Sequence, residues 1–213
     1  MTRRDTRELI LQTSLALFNA QGEPNVSTNE IAMEADISPG NLYYHFHNRD
    51  EISFELFKRY LVELTPLLEP APDEAPPSLE ELYLRLHLIF EIMGRYRFIY
   101  RNLADLFQRI DNLQQAITGL LARIEAALAH LLTRLESAGM MTIKERDARV
   151  LVDNVVTQMT CWIAYAELRD PEGLDDGSAL TTAAARVLYL FVPYLSEPEA
   201  DQFRALAQDY QNA

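Results

Sequence analysis

The sequence predicts an all-α protein, because its apolar residues recur at helical spacing and helix signals divide the chain into segments. Leu11, Leu15 and Phe18 are spaced four and three residues apart, which is the period of one helix face, whereas no sustained apolar and polar alternation predicts a strand. Ser or Thr followed three residues later by Glu occurs at positions 27, 78, 142 and 196. This capping-box pattern marks helix starts, and about nine or ten helices are expected.

The first quarter of the chain predicts a long helix, two short helices and a second long one. The first helix is expected to end at Gly22, with Pro24 beyond it, because glycine favours the helix terminus and proline cannot continue it. These four helices are expected at about 6–20, 28–35, 39–45 and 49–64.

A proline-rich loop at about 66–77 separates these helices from the rest. Its segment "EPAPDEAPP" cannot continue a helix, because each proline lacks a backbone donor and clashes with a preceding carbonyl. Further helices are expected at about 79–94, 96–109, 113–137, 143–168, 179–195 and 198–207.

Composition restricts the function classes. The 213 residues are 48% hydrophobic with a formal net charge of −13, so we expect a real core and no non-specific coating of nucleic acid. The single cysteine, Cys161, excludes an intrachain disulfide, and we expect it to be buried. No secretory or membrane-spanning pattern is found, so we expect a cytoplasmic protein with no membrane partner. No catalytic or metal-binding motif occurs, and we expect no enzyme activity, metal or cofactor.

The segment from Ser27 to Phe46 has the residue pattern of a helix-turn-helix. Ile31 points inward from its first helix, Ile37 fills the turn, and Leu42 with Phe46 points inward from the second helix. Ser38 can cap that second helix, and Pro39 occupies its first turn, where no donor is lost.

Such a second helix enters the major groove of DNA with its first exposed residues against base edges. Asn41 can pair with an adenine edge, and Pro39 or a tyrosine ring can touch a thymine methyl group. No acidic residue occurs between Ile37 and Asn48, which allows this part of an acidic chain to approach phosphates. The sequence therefore predicts double-stranded DNA as a partner.

Three stretches resemble the N-terminal DNA-binding domain of the TetR family of transcriptional repressors. They are "ILQTSLALFNAQG", "STNEIA" and "LYYHFHNRDEI". The resemblance implies a helix-turn-helix DNA-binding domain at 1–48 and a helical ligand-binding and dimerisation domain at 49–213. It also implies a homodimeric repressor on a palindromic operator, released when a small-molecule effector binds.

The resemblance assigns site residues position by position. Asp36 departs from the family, which usually has glycine in this turn, but Asp adopts left-handed geometry more readily than most residues. The residues expected to bind DNA are Thr28 and Asn29 on the second helix, Pro39, Gly40, Asn41, Tyr43, Tyr44 and His45 on the third, and Arg49 on the fourth.

In the family the dimer is built from the last two long helices, which correspond here to 147–168 and 178–195. The first of them carries two apolar stripes, so one is expected to face the core and one a partner. These stripes are Leu151, Val155, Met159, Trp162 and Ala166, and Val152, Val156 and Ile163.

The larger domain has more aromatic and Met side chains than a minimal core requires, which suits a small apolar or aromatic effector. For any one of these residues taken alone, core packing is the better explanation. The expected effector contacts are Phe57, Tyr60, His87, Phe90, Met93, Phe107, Met159 and Trp162. The alternative function is a helical adaptor or ligand-binding protein that has lost specific DNA binding.

Overall fold

The computed structural model describes residues 3–69 and 78–212, and within these ranges it confirms the all-α class. The segment 70–77, which holds most of the predicted loop, lies outside the described residues. The helices are α1 (Arg3–Gln21), α2 (Thr28–Glu34), α3 (Pro39–His45), α4 (Arg49–Leu68), α5 (Leu79–Arg95), α6 (Arg97–Arg101), α7 (Leu103–Arg109), α8 (Asp111–Ser137), α9 (Glu145–Arg169), α10 (Pro171–Asp176), α11 (Ser178–Phe191) and α12 (Glu197–Asn212).

The chain divides into two compact units. The first contains Met1–Glu63 and Arg95–Thr118, and the second contains Leu64–Gly94 and Gly119–Ala213. The predicted DNA-binding segment 1–48 lies entirely within the first unit, where it packs with most of α4 and with α6 and α7.

The core of the first unit is built from the apolar faces of α1 to α4 and from α6. Phe18 and Phe98 are fully buried with ring centroids 5.3 Å apart. The Asn19 side chain joins α1 to α6, because its Nδ2 donates to the Arg95 carbonyl at 2.8 Å and its Oδ1 accepts from the Phe98 N–H at 3.1 Å. These contacts hold α6 against the DNA-binding segment.

A buried pair of tyrosines lies deeper in the same unit. The hydroxyl oxygens of Tyr60 and Tyr100 are 2.5 Å apart. Burial raises the pKa of the Tyr100 hydroxyl to about 12, and burial followed by the neighbouring Tyr100 raises the pKa of Tyr60 well above its ordinary value. Both hydroxyls therefore stay protonated at neutral pH, and one donates a hydrogen bond to the other inside the core.

The second unit is centred on the packing of α9 and α12 against α11. Ala183, Ala184 and Ala185 are buried, and these small side chains allow close approach between helices. The Trp162 indole N–H donates to the Ala179 carbonyl at 2.8 Å, so the large ring of α9 is held on the start of α11. The first apolar stripe predicted on α9 is buried throughout, as expected for a core face.

Some helix boundaries differ from the predictions. The helix expected at 96–109 is divided at Asn102, which takes non-helical dihedrals and begins α7; asparagine favours such positions because its side chain competes for backbone bonds. The capping box expected at Thr142 is absent, since α9 is preceded by Lys144 without a side-chain cap. Helix α4 continues through Pro66 to Leu68, and the short α10, which Asp170 caps, was not predicted.

Candidate DNA-binding surface and ligand cavity

The turn between α2 and α3 has the left-handed residue that the sequence predicts. Asp36 has φ 51°, and it is the one non-glycine residue with positive φ in the described ranges. The Ile37 N–H donates to the Ala32 carbonyl at 3.0 Å and the Asp36 N–H to the Met33 carbonyl at 3.1 Å. This Schellman motif ends α2 sharply and sets the direction of α3.

Helix α3 has one buried face and one exposed face. The Ser38 hydroxyl accepts from the Asn41 N–H at 3.2 Å, which caps the helix as predicted. Leu42 is fully buried and Phe46, which follows the helix, is 3% exposed. The opposite face is available to a partner, and its exposed residues are Pro39, Gly40, Asn41, Tyr43 and Tyr44, with His45 half-buried at its edge.

The start of α3 is open around Gly40. A Cβ at this position would meet no protein atom within 4 Å, so packing does not require glycine here. Glycine costs about 1 kcal/mol relative to alanine inside a helix. The protein fold alone therefore does not account for the absence of a side chain at residue 40.

Two hydroxyl groups lie within hydrogen-bond distance beside the exposed face of α3. The Thr28 Oγ1 and Tyr43 Oη atoms are 3.0 Å apart, which brings together two residues predicted from separate helices. Thr28 is the first residue of α2, and the capping box predicted at Ser27 and Glu30 is present in full. Asn29 is exposed next to Thr28, so the start of α2 and the exposed face of α3 form one continuous polar surface.

The basic side chains near this surface have partners within the chain. Arg7 lies 3.1 Å from the Glu55 carboxylate and stacks on the Phe46 ring at 5.0 Å from its centroid. Arg49 donates to the Pro24 and Val26 carbonyls at 2.9 and 3.2 Å. The predicted phosphate-binding guanidinium of Arg49 is therefore engaged with the loop that precedes α2.

Arg49 also belongs to an ion network around Glu23, whose side chain is fully buried. Arg49 Nε lies 2.8 Å from Glu23 Oε1, although its N–H is not aligned for a hydrogen bond. Arg109 Nη2 donates to both carboxylate oxygens at 3.0 and 2.8 Å, and the Ser53 hydroxyl donates at 3.0 Å. Arg109 further pairs with Asp50. The network joins the loop before α2, the start of α4 and the end of α7.

The predicted effector contacts are divided between the two units. Phe57, Tyr60 and Phe107 belong to the first unit, and the other five belong to the second. Phe57 and Tyr60 lie in a tilted ring pair with centroids 5.7 Å apart, in the core of the first unit. Phe90 and Met93 are each 1% exposed, and His87 is half-buried.

A cavity of about 90 Å³ lies within the second unit, and Met159 is the one predicted effector contact that lines it. Its walls come from the end of α4, from α5, α8 and α9. The other lining residues are Leu67, Leu68, Glu69, Ser78, Glu81, Leu82, Arg85, Leu86, Ile89, Ile124, Ala127, Leu128, His130, Leu131 and Arg134. Sequence reasoning missed them because it searched for aromatic side chains, and this wall is aliphatic.

The second apolar stripe predicted on α9 is not the exposed one. Ile163 is fully buried, and Val152 and Val156 are half-buried. Cys161, expected to be buried, is exposed. The exposed stripe has alternating spacings of four and three residues and consists of Val150, Asn154, Thr157, Cys161, Ala164 and Leu168.

Comparison with known proteins decides the family. A family model described as "Bacterial regulatory proteins, tetR family" matches residues 10–56, and one described as "Bacterial transcriptional repressor" matches residues 59–203. The chain belongs to the TetR family. The resemblance in the first quarter of the sequence is thus confirmed and extends over most of the chain.

Solved and curated relatives agree with this family. A TetR-family transcriptional regulator from Marinobacter aquaeolei VT8 is 33% identical, with a TM-score of 0.88 over 99% of this chain and 100% of its own. IcaR of Staphylococcus aureus, a negative regulator of a biofilm operon, is 24% identical over 55% of this chain and 68% of IcaR. The SmeT–triclosan complex shares the fold, at 18% identity and a TM-score of 0.59 over 91% of this chain and 93% of SmeT.

The TetR-family chain described here is a DNA-binding transcriptional regulator. Ligand-responsive repression as a dimer is typical of the family, and its members are in general soluble and cytoplasmic. Its relatives are regulators and not enzymes.

Within the described ranges no three His, Cys, Asp or Glu side chains come together as a metal site. Helix α8 is long and apolar enough to cross a membrane by composition, but several of its aliphatic residues line the cavity.

Proposed function

We propose that this TetR-family protein represses transcription in the cytoplasm by inserting α3 into the major groove of a palindromic operator. The observation that carries this proposal is the two-sided character of α3. Leu42 and Phe46 fix the helix on the core, while Gly40, Asn41 and Tyr44 are directed away from it. Asn41 reads an adenine edge, and the open space at Gly40 lets the DNA approach the helix closely.

The paired hydroxyls of Thr28 and Tyr43 suit a phosphate beside the groove, because neutral donors can bind phosphate without carrying sequence information. Arg49 contributes differently, because its guanidinium already binds Glu23 and two backbone carbonyls. It positions the loop before α2 and thereby the start of that helix. With Arg7 and Arg49 engaged, non-specific affinity for DNA is low.

The exposed stripe on α9 supports homodimerisation through this helix and α11. Leu168 is 86% exposed and Val150 is 50% exposed, which is unfavourable for apolar side chains that remain in water. Tyr189 on α11 is also partly exposed. A two-fold partner that covers this stripe also brings a second α3, as a palindromic operator requires.

The cavity between α4, α5, α8 and α9 is the proposed effector site. It is lined largely by apolar side chains with a few charged groups, which is the usual character of a small-molecule site. An effector releases the operator only if it binds the non-operator conformation more tightly than the operator-bound one. Effector binding and operator binding are thus linked, because the effector has different affinities for the two conformations.

Selection of genomic fragments on the purified full-length protein tests the proposal. The recovered operator is compared with a random duplex of equal length in a salt titration. We expect a specificity ratio of about 10³ or more and a loss of both affinities with added salt, whose slope gives the number of phosphates that basic side chains neutralise. Equal affinity for operator and random DNA would instead favour a ligand-binding protein that has lost specific DNA binding.

A further inference from the structure

We propose that Arg109 is a positioning residue for operator binding, because its guanidinium holds the chain segments on both sides of the helix-turn-helix. This inference deepens the proposed function and rests on its assignment of α2 and α3 to DNA. Arg109 is the last residue of α7 and lies in the first unit. It is far from the helix-turn-helix in the sequence, so its role follows only from its contacts.

Every nitrogen of the Arg109 guanidinium has an acidic partner. Its Nη2 donates to both carboxylate oxygens of Glu23 at 3.0 and 2.8 Å, its Nη1 pairs with Asp50, and its Nε donates to Asp105 at 3.1 Å. A guanidinium presents its donors in a rigid planar fork, so the fork also fixes the spacing of its partners. A DNA phosphate would have to displace one of these carboxylates, and Arg109 is therefore not a phosphate ligand.

The Glu23 contact holds the segment that enters the helix-turn-helix. Glu23 begins a short 3₁₀ turn between α1 and α2, and its side chain is fully buried. The Val26 N–H donates to the Glu23 carbonyl at 3.2 Å, and Val26 is 1% exposed. Ser27 follows directly and caps α2. A displacement of Glu23 therefore moves the start of α2, where the Thr28 hydroxyl faces the proposed phosphate.

The Asp50 contact holds the segment that leaves the helix-turn-helix. Asp50 lies in the first turn of α4, and the Asn48 side chain caps this helix by accepting from a backbone N–H at 2.9 Å. The Ser53 hydroxyl, one turn farther along α4, donates to Glu23 at 3.0 Å. The entering and leaving segments thus meet at one point, where Arg109 binds both of them.

The arrangement affects specific binding more than non-specific binding. On the operator, the hydroxyls at the start of α2 and the exposed face of α3 must reach a phosphate and the base edges at the same time. A fixed spacing between them avoids an ordering cost on binding. Binding to random DNA depends mainly on charge and demands no such register. Loss of Arg109 therefore lowers the affinity for the operator and leaves the affinity for random DNA nearly unchanged.

Fluorescence anisotropy of the full-length Arg109→Gln variant tests this inference. The probes are the operator recovered by genomic selection and a random duplex of equal length, at a temperature where circular dichroism shows each protein folded. We expect operator affinity to fall about tenfold and random-DNA affinity to stay within about twofold of wild type. Unchanged operator affinity would overturn the proposal.

The salt dependence separates positioning from direct phosphate contact. A positioning residue neutralises no phosphate, so the slope of operator affinity against salt should be the same for Arg109→Gln and wild type. A slope reduced by about one identifies Arg109 as a phosphate ligand instead, which contradicts the proposed role.

Arg59→Gln is the matched control for stability. Arg59 lies in the same unit, its side chain is 32% exposed against 26% for Arg109, and it donates to Glu8 of α1 at 2.8 Å. This pair joins α4 to α1 and holds neither segment beside the helix-turn-helix, so Arg59→Gln should leave operator affinity unchanged. If both variants weaken operator binding equally, Arg109 only stabilises the unit and the proposal fails.

Arg109→Lys tests whether the fork is needed. Lysine keeps a positive charge beside Glu23 but is a compact point charge without the planar fork. We expect Tm close to that of wild type and an operator affinity as low as that of Arg109→Gln. Operator affinity restored in full by lysine refutes the joint hold on Glu23 and Asp50. If Arg109→Gln does not fold, this variant by itself decides the proposal.

A double-mutant cycle tests the route through Glu23. In a Glu23→Gln background, Arg109→Gln should weaken operator binding less than it does in wild type, because the contact is already lost. Strictly additive effects would show that Arg109 acts independently of Glu23, against the proposal.

Comparison with the wild-type protein separates this inference from the proposed function. If wild type binds the operator and random DNA equally, the proposed function fails and this inference fails with it. If wild type prefers its operator and Arg109→Gln keeps that preference in full, this inference alone fails and the regulator assignment stands.

Discussion

The buried carboxylate of Glu23 should be a major determinant of stability in the first unit. Its side chain is fully buried and is held by Arg49, Arg109 and Ser53. Glu23→Ala removes the negative charge and leaves two guanidinium groups facing one another. Removing one partner of a buried ion pair costs about 3–5 kcal/mol, because the remaining charge is desolvated without compensation.

The structure indicates that the loss in free energy of unfolding caused by Glu23→Ala lies near the lower end of this range. The side chains of Arg49 and Arg109 are 28% and 26% exposed, so both can regain some hydration, and Arg109 keeps its contacts with Asp50 and Asp105. We therefore expect a loss of about 3 kcal/mol in the free energy of unfolding. A chain of this size loses about 2–4 °C in Tm per kcal/mol, so Tm should fall by about 6–12 °C.

Urea and thermal unfolding of the full-length dimer, followed by circular dichroism at fixed protein concentration, measure this loss. Glu145→Ala is the matched control, because Glu145 pairs with Arg149 at 3.1 Å while both side chains are largely exposed. Such a surface pair contributes about 0.3–0.5 kcal/mol. If Glu23→Ala cost no more than Glu145→Ala, the network would not be a structural determinant and its role in positioning α2 would fail.

Three further predictions concern DNA reading, assembly and acid stability. Asn41→Ala should weaken operator binding by about 1–3 kcal/mol and relax preference at one base pair, measured by competition with single-base operator variants; an equal loss on random DNA contradicts base reading. Leu168→Glu should convert dimers into chains of 24.4 kDa in light scattering, whereas Val62→Glu, equally apolar and 74% exposed on α4, should not; an unchanged mass refutes the α9 interface. The hydrogen bond from Arg59 lowers the pKa of Glu8, so its stabilisation is complete above the unfolded-state pKa of about 4.3 and is lost as pH falls through the lower native pKa. Glu8→Gln should therefore flatten the pH dependence of unfolding below about pH 4, and a slope like that of the wild type contradicts this assignment.

The sequence determined the helix-turn-helix largely by itself, because that motif depends on short-range physics. Ser38 caps α3 through a hydrogen bond to a residue three positions away, and Asp36 ends α2 through its own backbone dihedrals. Leu42 and Phe46 face the core because of their spacing along one helix. Family resemblance then gave this local unit its function.

Only the tertiary structure decided which side chains are available to partners. The sequence predicts that Arg49 binds phosphate, yet Glu23 and the Pro24 and Val26 carbonyls, which are distant along the chain, engage its guanidinium. Ile163 and Cys161 are both apolar residues of one helix, but the first is buried by its own chain and the second is exposed. Periodicity shows that a helix has apolar faces, whereas the contacts of distant segments determine which face is covered. The cavity also depends on the tertiary structure. Its walls come from four helices, and no local sequence pattern indicates that these helices pack together.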